Sequence, residues 1–132
     1  MIDIAEFTTL NAKTDPAVNI AISRLISKQG INACGSEIKR GHRIGCHSHT
    51  VGEEWYIVLS GEGEIWTADV KGQQLHKKRV NPVKAGSVFC IYPSTAHQMR
   101  AITDLSFLFL CPESHVSSDR TLFDDLIDPV CL

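Results

Sequence analysis

Short apolar segments alternate with polar turn residues along the whole chain. The run from Trp55 to Leu59 and the segment LSFLFLC at 105–111 have the length of strands and are rich in residues that favour them. Gly30, Gly61 and Gly72 are among the glycines that lie between such segments, where turns are expected. The pattern predicts strands over 19–27, 31–39, 42–49, 54–60, 63–69, 73–80, 86–92, 97–102 and 104–111.

The end of the chain has a different periodicity. Ser118 or Asp119 can cap a helix, and apolar residues follow at helical spacing. These apolar residues are Leu122, Phe123, Leu126 and Ile127. The spacing predicts one short C-terminal helix after a series of evenly spaced strands, and this combination is typical of an all-β sandwich or barrel.

Composition limits the classes of protein to consider. The chain has 132 residues, 43% hydrophobic and 21% charged, which suits one globular domain. A formal net charge of -2 does not favour a nucleic-acid partner. No apolar run approaches the length needed to span a membrane, so no membrane partner is expected.

The N-terminus and the cysteines indicate the compartment. The segment MIDIAEFTTL lacks the basic and apolar regions of a secretory signal. The five cysteines are an odd set without C-x-x-C spacing, and Cys34, Cys90 and Cys111 lie inside apolar segments. Free, buried thiols of this kind predict a reducing, cytoplasmic location.

Three histidines and one acid interrupt the apolar pattern in a way that indicates a metal site. His47 and His49 share one face of a strand because side chains alternate with period two, and Glu54 opens the next strand. His97 follows a strand and a proline turn far downstream. If the sheet closes into a barrel, these side chains can converge inside it. Nitrogen and carboxylate ligands suit Mn, Fe, Ni, Co or Zn, and the absence of thiolate ligands argues against a structural zinc site.

Neighbouring residues leave alternatives open. Glu53 is a rival ligand, but its spacing is worse and a solvated turn acid explains it better. Cys46 faces the opposite side of the strand from His47. Tyr56 and Met99 should both point inward; Met99 suits core packing, whereas Tyr56 can either pack or hydrogen-bond a substrate. Arg43 either holds an anionic substrate or is solvated. The remaining histidines have no partner pattern and are interpreted as surface residues: His42, His76 and His115.

The histidine-rich stretch resembles the first motif of the cupin family, G-x5-H-x-H-x4-E-x6-G. The matching residues are Gly41, His47, His49, Glu54 and Gly61. The second motif, G-x5-P-x-G-x2-H-x3-N, is matched by Gly86 and His97. It departs at Tyr92, Ser94 and Ala101, which stand at its proline, glycine and asparagine. These departures concern the shape of a turn more than the ligands.

The resemblance implies a jelly-roll barrel of the double-stranded β-helix type with a short C-terminal helix. It also implies frequent dimers and one divalent metal ion held by His47, His49, Glu54 and His97. We expect residues 1–30 to form N-terminal strands and an arm with a dimer contact, residues 31–112 to form the barrel, and residues 113–132 to form the helix and tail, all in one domain. The N-terminal MIDIAEF either adds an edge strand across a dimer or folds back on its own barrel.

The functional expectation is a metal-dependent enzyme acting on a small oxygen-rich metabolite. The reaction could be that of a dioxygenase, isomerase, lyase or decarboxylase, because relatives with this fold span all of them. Tyr56 is expected to orient or protonate an intermediate and Glu54 to act as a base. The alternative is a non-catalytic module that binds a small ligand, and a purely structural cupin is a third interpretation.

Overall fold

The computed structural model describes residues 1–128, which form eleven strands and one short helix. The strands are β1 (Lys13–Asp15), β2 (Ile20–Ser27), β3 (Asn32–Ile38), β4 (His47–Ser48), β5 (Glu54–Ser60), β6 (Glu62–Lys71), β7 (Gln74–Lys84), β8 (Val88–Ile91), β9 (Thr95–Ala101), β10 (Leu105–Cys111) and β11 (Thr121–Leu122). The helix α1 spans Ser114–Ser117.

The strands form two antiparallel sheets. One sheet has six strands in the order β1-β2-β3-β10-β5-β8, and the other has five in the order β11-β4-β9-β6-β7. Alternation places every second side chain of β10 in the interior, and its burial pattern alternates strictly from Leu105 to Cys111. The predicted all-β class with a single short helix is confirmed. Among residues 1–128, no helix is long and apolar enough to cross a membrane.

An aromatic cluster fills the space between the sheets. The ring of Tyr56 stacks on Phe89 with the ring centroids 4.9 Å apart, and Phe107 and Phe109 lie within 6 Å of Tyr56. Met99 is fully buried in the same cluster, as its parity predicts. Each fully buried side chain of this size stabilises the fold by about 1.5–3 kcal/mol.

The predicted position of the C-terminal helix is wrong. The helix precedes the expected segment, and Thr121–Leu122 instead extend the five-stranded sheet as β11. Leu126 and Ile127 are buried in a second cluster that includes Trp66. Their backbone N–H groups donate to Oε1 of Gln98 at 2.8 and 3.4 Å. Oε1 of Gln98 therefore accepts the two N–H groups that backbone carbonyls would accept in a helix. Leu126 and Ile127 are buried without helical turns.

The N-terminal segment lies on its own sheet. No strand forms within residues 1–12, so the added edge strand is not present in the described chain. A side-chain atom added at Gly35 would meet the ring of Phe7 at 2.9 Å, which shows how closely the segment covers β3. Asp3 pairs with Lys28 at 2.5 Å. Phe7 and Asp3 thus contact their own chain, whereas Ile2 and Ile4 are 80% and 78% exposed. The dimer contact of this segment and the domain boundaries stay predictions.

Candidate metal centre

Strand pairing brings three histidines together. His47 on β4 stands directly opposite His97 on β9, and their ring centroids are 4.3 Å apart. His49 projects from the same face, with its centroid 5.1 and 5.3 Å from the other two. Each ring offers one ligand atom within 4.8 Å of the others, and all three side chains are buried. The structure therefore has the convergence that the spacing predicts.

The backbone fixes the orientation of each imidazole. In each of the three imidazole rings, Nδ1 lies at hydrogen-bond distance from a backbone carbonyl oxygen. Because a carbonyl oxygen can only accept a hydrogen bond, Nδ1 carries the hydrogen. These carbonyls belong to Gly45, Asp119 and Thr95, at 2.8 Å from His47, 2.6 Å from His49 and 3.0 Å from His97. In a neutral imidazole this leaves a lone pair on Nε2. In metalloproteins, a histidine ligand is commonly oriented by a hydrogen bond from the ring nitrogen that does not bind the metal.

The ring nitrogens that face one another lack donors. Within residues 1–128, Nε2 of His49 and Nε2 of His97 are buried without a hydrogen-bond partner. Buried acceptors are unfavourable when they are left unpaired, because they lose their hydrogen bonds to water. A divalent cation bound by the three Nε2 atoms would satisfy them. The residues present therefore fit a metal ion.

Glu54 adds a buried carboxylate next to this cluster. Its Oε2 lies 3.0 Å from Nε2 of His49, although the geometry is not that of a hydrogen bond. Burial by itself raises the pKa of Glu54, but the hydrogen bond from His115 and the interactions with His49 and His97 together outweigh it and hold the pKa well below its usual range. The ionised carboxylate of Glu54 thus faces the lone pair on Nε2 of His49. A cation between them would be attracted to both groups.

His115 is a site residue that the sequence interpretation missed. It was expected on the surface, yet it is buried, and its Nδ1 donates to Oε2 of Glu54 at 3.1 Å. Its Nε2 donates to the carbonyl of Val51 at 2.5 Å. Burial lowers its pKa, but these two hydrogen bonds raise it overall. The sequence gives no spacing that joins it to Glu54, which lies 61 residues away.

The other site residues keep the protonation states that ligation and hydrogen bonding require. Burial lowers the pKa of His47 to about 3 and also lowers that of His97, so both rings are neutral at neutral pH. Tyr56 is buried, and burial and the Glu54 carboxylate raise its pKa well above its usual value. Tyr56 therefore stays protonated and can donate a hydrogen bond.

A small cavity adjoins these residues. Its volume is about 20 Å³, room for roughly one water molecule. Its wall contains His47, His49, Glu54, Tyr56 and His115. The rest of the wall is formed by Asp15, Val18, Ile20, Ile22, Phe109, Val116 and Arg120.

The remaining candidates lie elsewhere. Glu53 is exposed, as expected of a turn acid. Cys46 belongs to the second apolar cluster, and burial raises the pKa of its thiol to about 12, so it is not a thiolate. Arg43 pairs with Asp125 at 2.9 Å, away from the cavity.

The turn before His97 keeps its shape despite the missing glycine. Ser94, at the glycine position of the second motif, adopts a left-handed conformation with φ of 59°. Its N–H donates to the carbonyl of His49 at 2.8 Å. The departure from the motif therefore leaves the contact between the two histidine segments intact.

Comparisons with known proteins agree with this architecture. The family model described as "Cupin domain" matches residues 36–112. No curated protein matches the sequence. Among solved structures, the Cupin 2 conserved barrel domain protein from Salinispora arenicola has a TM-score of 0.64 and 19% identity, covering 87% of this chain and 92% of that one.

Two larger proteins contain a similar unit. The capsular polysaccharide assembling protein CapF from Staphylococcus aureus has a TM-score of 0.67 and 16% identity over 86% of this chain. Oxalate decarboxylase from Bacillus subtilis has a TM-score of 0.63 and 17% identity over 85% of it. The chain spans only 34% and 29% of these two proteins. The double-stranded β-helix fold is thus shared, and because the family model covers more than half of the sequence, the chain belongs to the cupin family.

Proposed function

We propose that this cupin binds one divalent metal ion through His47, His49, His97 and Glu54. The observation that carries the proposal is the set of buried Nε2 atoms that face each other without a donor. Their Nδ1 atoms are all held by backbone carbonyls, so the Nε2 lone pairs are available to a cation.

The donor set narrows the choice of ion. Three imidazole nitrogens and one carboxylate oxygen suit Mn, Fe, Ni, Co or Zn. The oxalate decarboxylase of Bacillus subtilis has Mn(II) centres, which makes manganese the first ion to test. Such an ion, when bound, acts as a Lewis acid that polarises a substrate oxygen.

The protein groups around the ion support an enzymatic role on a small oxygen-rich metabolite. Tyr56 is buried and protonated, so its hydroxyl can donate a hydrogen bond to a substrate oxygen or orient an intermediate. Glu54 is ionised and can accept a proton if it is not fully engaged with the ion. His115 holds the Glu54 carboxylate in place through its Nδ1–H. The class of reaction is that of a dioxygenase, isomerase, lyase or decarboxylase.

A non-catalytic ligand-binding module is the second candidate. The cavity of about 20 Å³ is too small for a metabolite in either case unless its walls move, so the observation that favours this candidate comes from a structure of the same fold with a bound inhibitor. CapF, which has the same fold, has been crystallised with the inhibitor 3-isopropenyl-tropolone. In this second case a ligand binds at the site and leaves unchanged.

Metal analysis of the natively purified protein tests the centre. We expect about one ion per chain in the wild type, and a loss of most of it in His97→Gln, because one of the few ligands is removed. His76→Gln is the matched control, since His76 is exposed on β7. Equal metal content in both variants would overturn the centre. A screen of 2-oxo acids, diols and sugar phosphates, with and without chelator, then separates turnover from binding.

Association and location are further parts of the proposal. Trp55, Leu59 and Val88 are 43%, 40% and 59% exposed on the outer face of the six-stranded sheet. An apolar face of this kind is typical of an interface, which supports a homodimer. A cytoplasmic location remains the prediction made from the free cysteines.

A further inference from the structure

An ion pair joins two distant segments at the cavity next to the histidines. Asp15, the last residue of β1, pairs with Arg120, which follows α1. Their side chains are 16% and 19% exposed. Most of the other residues on the cavity wall are buried, so the pair lies where the cavity approaches the surface.

Arg120 is fixed to the metal centre through its neighbour. The carbonyl of Asp119 accepts from Nδ1 of His49 at 2.6 Å. The Asp119 carboxylate accepts from the N–H groups of Thr50 and Val51 at 2.8 and 2.9 Å. These bonds hold the backbone next to Arg120 on the segment that carries His49. The backbone that carries Arg120 therefore has a defined position relative to His49.

Asp15 is held much less firmly. Strand β1 has three residues, lies at the edge of its sheet and, among the described strands, pairs only with β2. In the part of the chain that the structure describes, the Asp15 carboxylate accepts, apart from Arg120, only the N–H of Ala17, at 3.1 Å, within its own turn. Short edge strands open at a low free-energy cost relative to the core. Asp15 can therefore leave Arg120 while the barrel stays folded.

Arg120 is the only Lys or Arg on the cavity wall among residues 1–128. A planar guanidinium binds carboxylates through paired hydrogen bonds, which gives it selectivity over neutral groups. We propose that Arg120 binds the carboxylate of a small substrate and that Asp15 occupies this position when no substrate is bound. Displacement of Asp15 frees β1 and opens the cavity to 2-oxo and 2-hydroxy acids. This assignment rests on the proposed function, because the same acid must reach the metal centre.

Calorimetric titration of the Mn(II)-loaded protein with pyruvate, and with hydroxyacetone as the neutral counterpart, tests the proposal. We expect Asp15→Asn to bind pyruvate about tenfold more tightly than the wild type, because a charged competitor is removed. Arg120→Gln should bind pyruvate at least about tenfold more weakly and lose its preference over hydroxyacetone. Arg120→Lys, which keeps the charge but not the planar fork, should lose less affinity than Arg120→Gln.

The opposite signs of these two effects separate substrate binding from a structural latch. If the ion pair only closes the cavity, both substitutions open it and shift pyruvate affinity in the same direction, which overturns the proposal. Arg43→Gln is the matched control, since Arg43 is also in an ion pair but lies away from the cavity. If Arg43→Gln also loses the preference for pyruvate over hydroxyacetone, the proposal for Arg120 is overturned. The content of Mn, Fe, Ni, Co and Zn is measured on every preparation. A wild type that holds none of these ions refutes the metal centre, whereas a loaded protein with same-sign shifts refutes only the role of Arg120.

Discussion

The ring of His115 lies flat against the ring of His49. Their centroids are 3.9 Å apart and their planes differ by 4°. The same His115 donates to Glu54, so one side chain from α1 contacts two of the four proposed ligands. The helix, which is only four residues long, thus places the His115 side chain where it supports both Glu54 and His49.

Replacement of His115 by phenylalanine should preserve the stacking but remove both hydrogen bonds. We expect the affinity for Mn(II) to fall by about 10–100-fold, because Glu54 loses the donor that orients it. Leaving the Val51 carbonyl and the carboxylate without donors should also lower the free energy of unfolding by about 1–3 kcal/mol. Metal titration and urea unfolding measure the two effects. His42→Phe, at an exposed position, should change neither, and an unchanged affinity in His115→Phe would refute the supporting role of His115.

The buried histidines make the metal-free protein sensitive to acid. The pKa of His47 is about 3 in the folded chain against 6.5 in the unfolded one, so between these values the unfolded state binds more protons. Stability is then lost as the pH falls from 6.5 towards 3, by about 5 kcal/mol for this group. Urea unfolding of chelator-treated protein at pH 7 and pH 4.5 should show a steeper loss for the wild type than for His47→Gln. Identical slopes would contradict the burial of a neutral His47.

Ser94→Gly should stabilise the protein. A left-handed backbone costs a residue with Cβ about 1–2 kcal/mol, and glycine avoids this cost but has more freedom when unfolded. We expect a net gain of about 0.5 kcal/mol in the free energy of unfolding, measured by chemical denaturation. Ser27→Gly, at the end of β2, is the control and should destabilise instead. A loss at position 94 would show that the serine side chain has another role.

Gln98→Leu should release the C-terminal segment. The substitution leaves the N–H groups of Leu126 and Ile127 without their acceptor, and the carbonyl of Ile44 loses its donor at 2.9 Å. We expect a loss of about 2–3 kcal/mol and faster amide hydrogen exchange at residues 126 and 127. Gln73→Leu, in an exposed turn, serves as the control. Unchanged exchange at these two amides would mean that packing against Trp66 alone holds the segment.

Some features of the fold and site follow from local pattern. Alternating burial predicts the strands because the period of a pleated strand is two, and β5 and β10 match the expected segments almost residue for residue. The prediction failed at the C-terminus, where Leu126 and Ile127 have helical spacing but satisfy their backbone through Gln98. That partner is about thirty residues away in the chain, so no local window contains it.

Local spacing predicts that His47, His49 and Glu54 share one region of an all-β protein, because spacing along a strand and across a turn is a short-range property. The contacts of His115 with Glu54 and of Asp15 with Arg120 arise only when the whole chain folds. These contacts join segments 61 and 105 residues apart. These two contacts depend on how the two sheets pack and on where β1 and α1 lie against them. That packing follows from burial of the whole core rather than from any one stretch of residues.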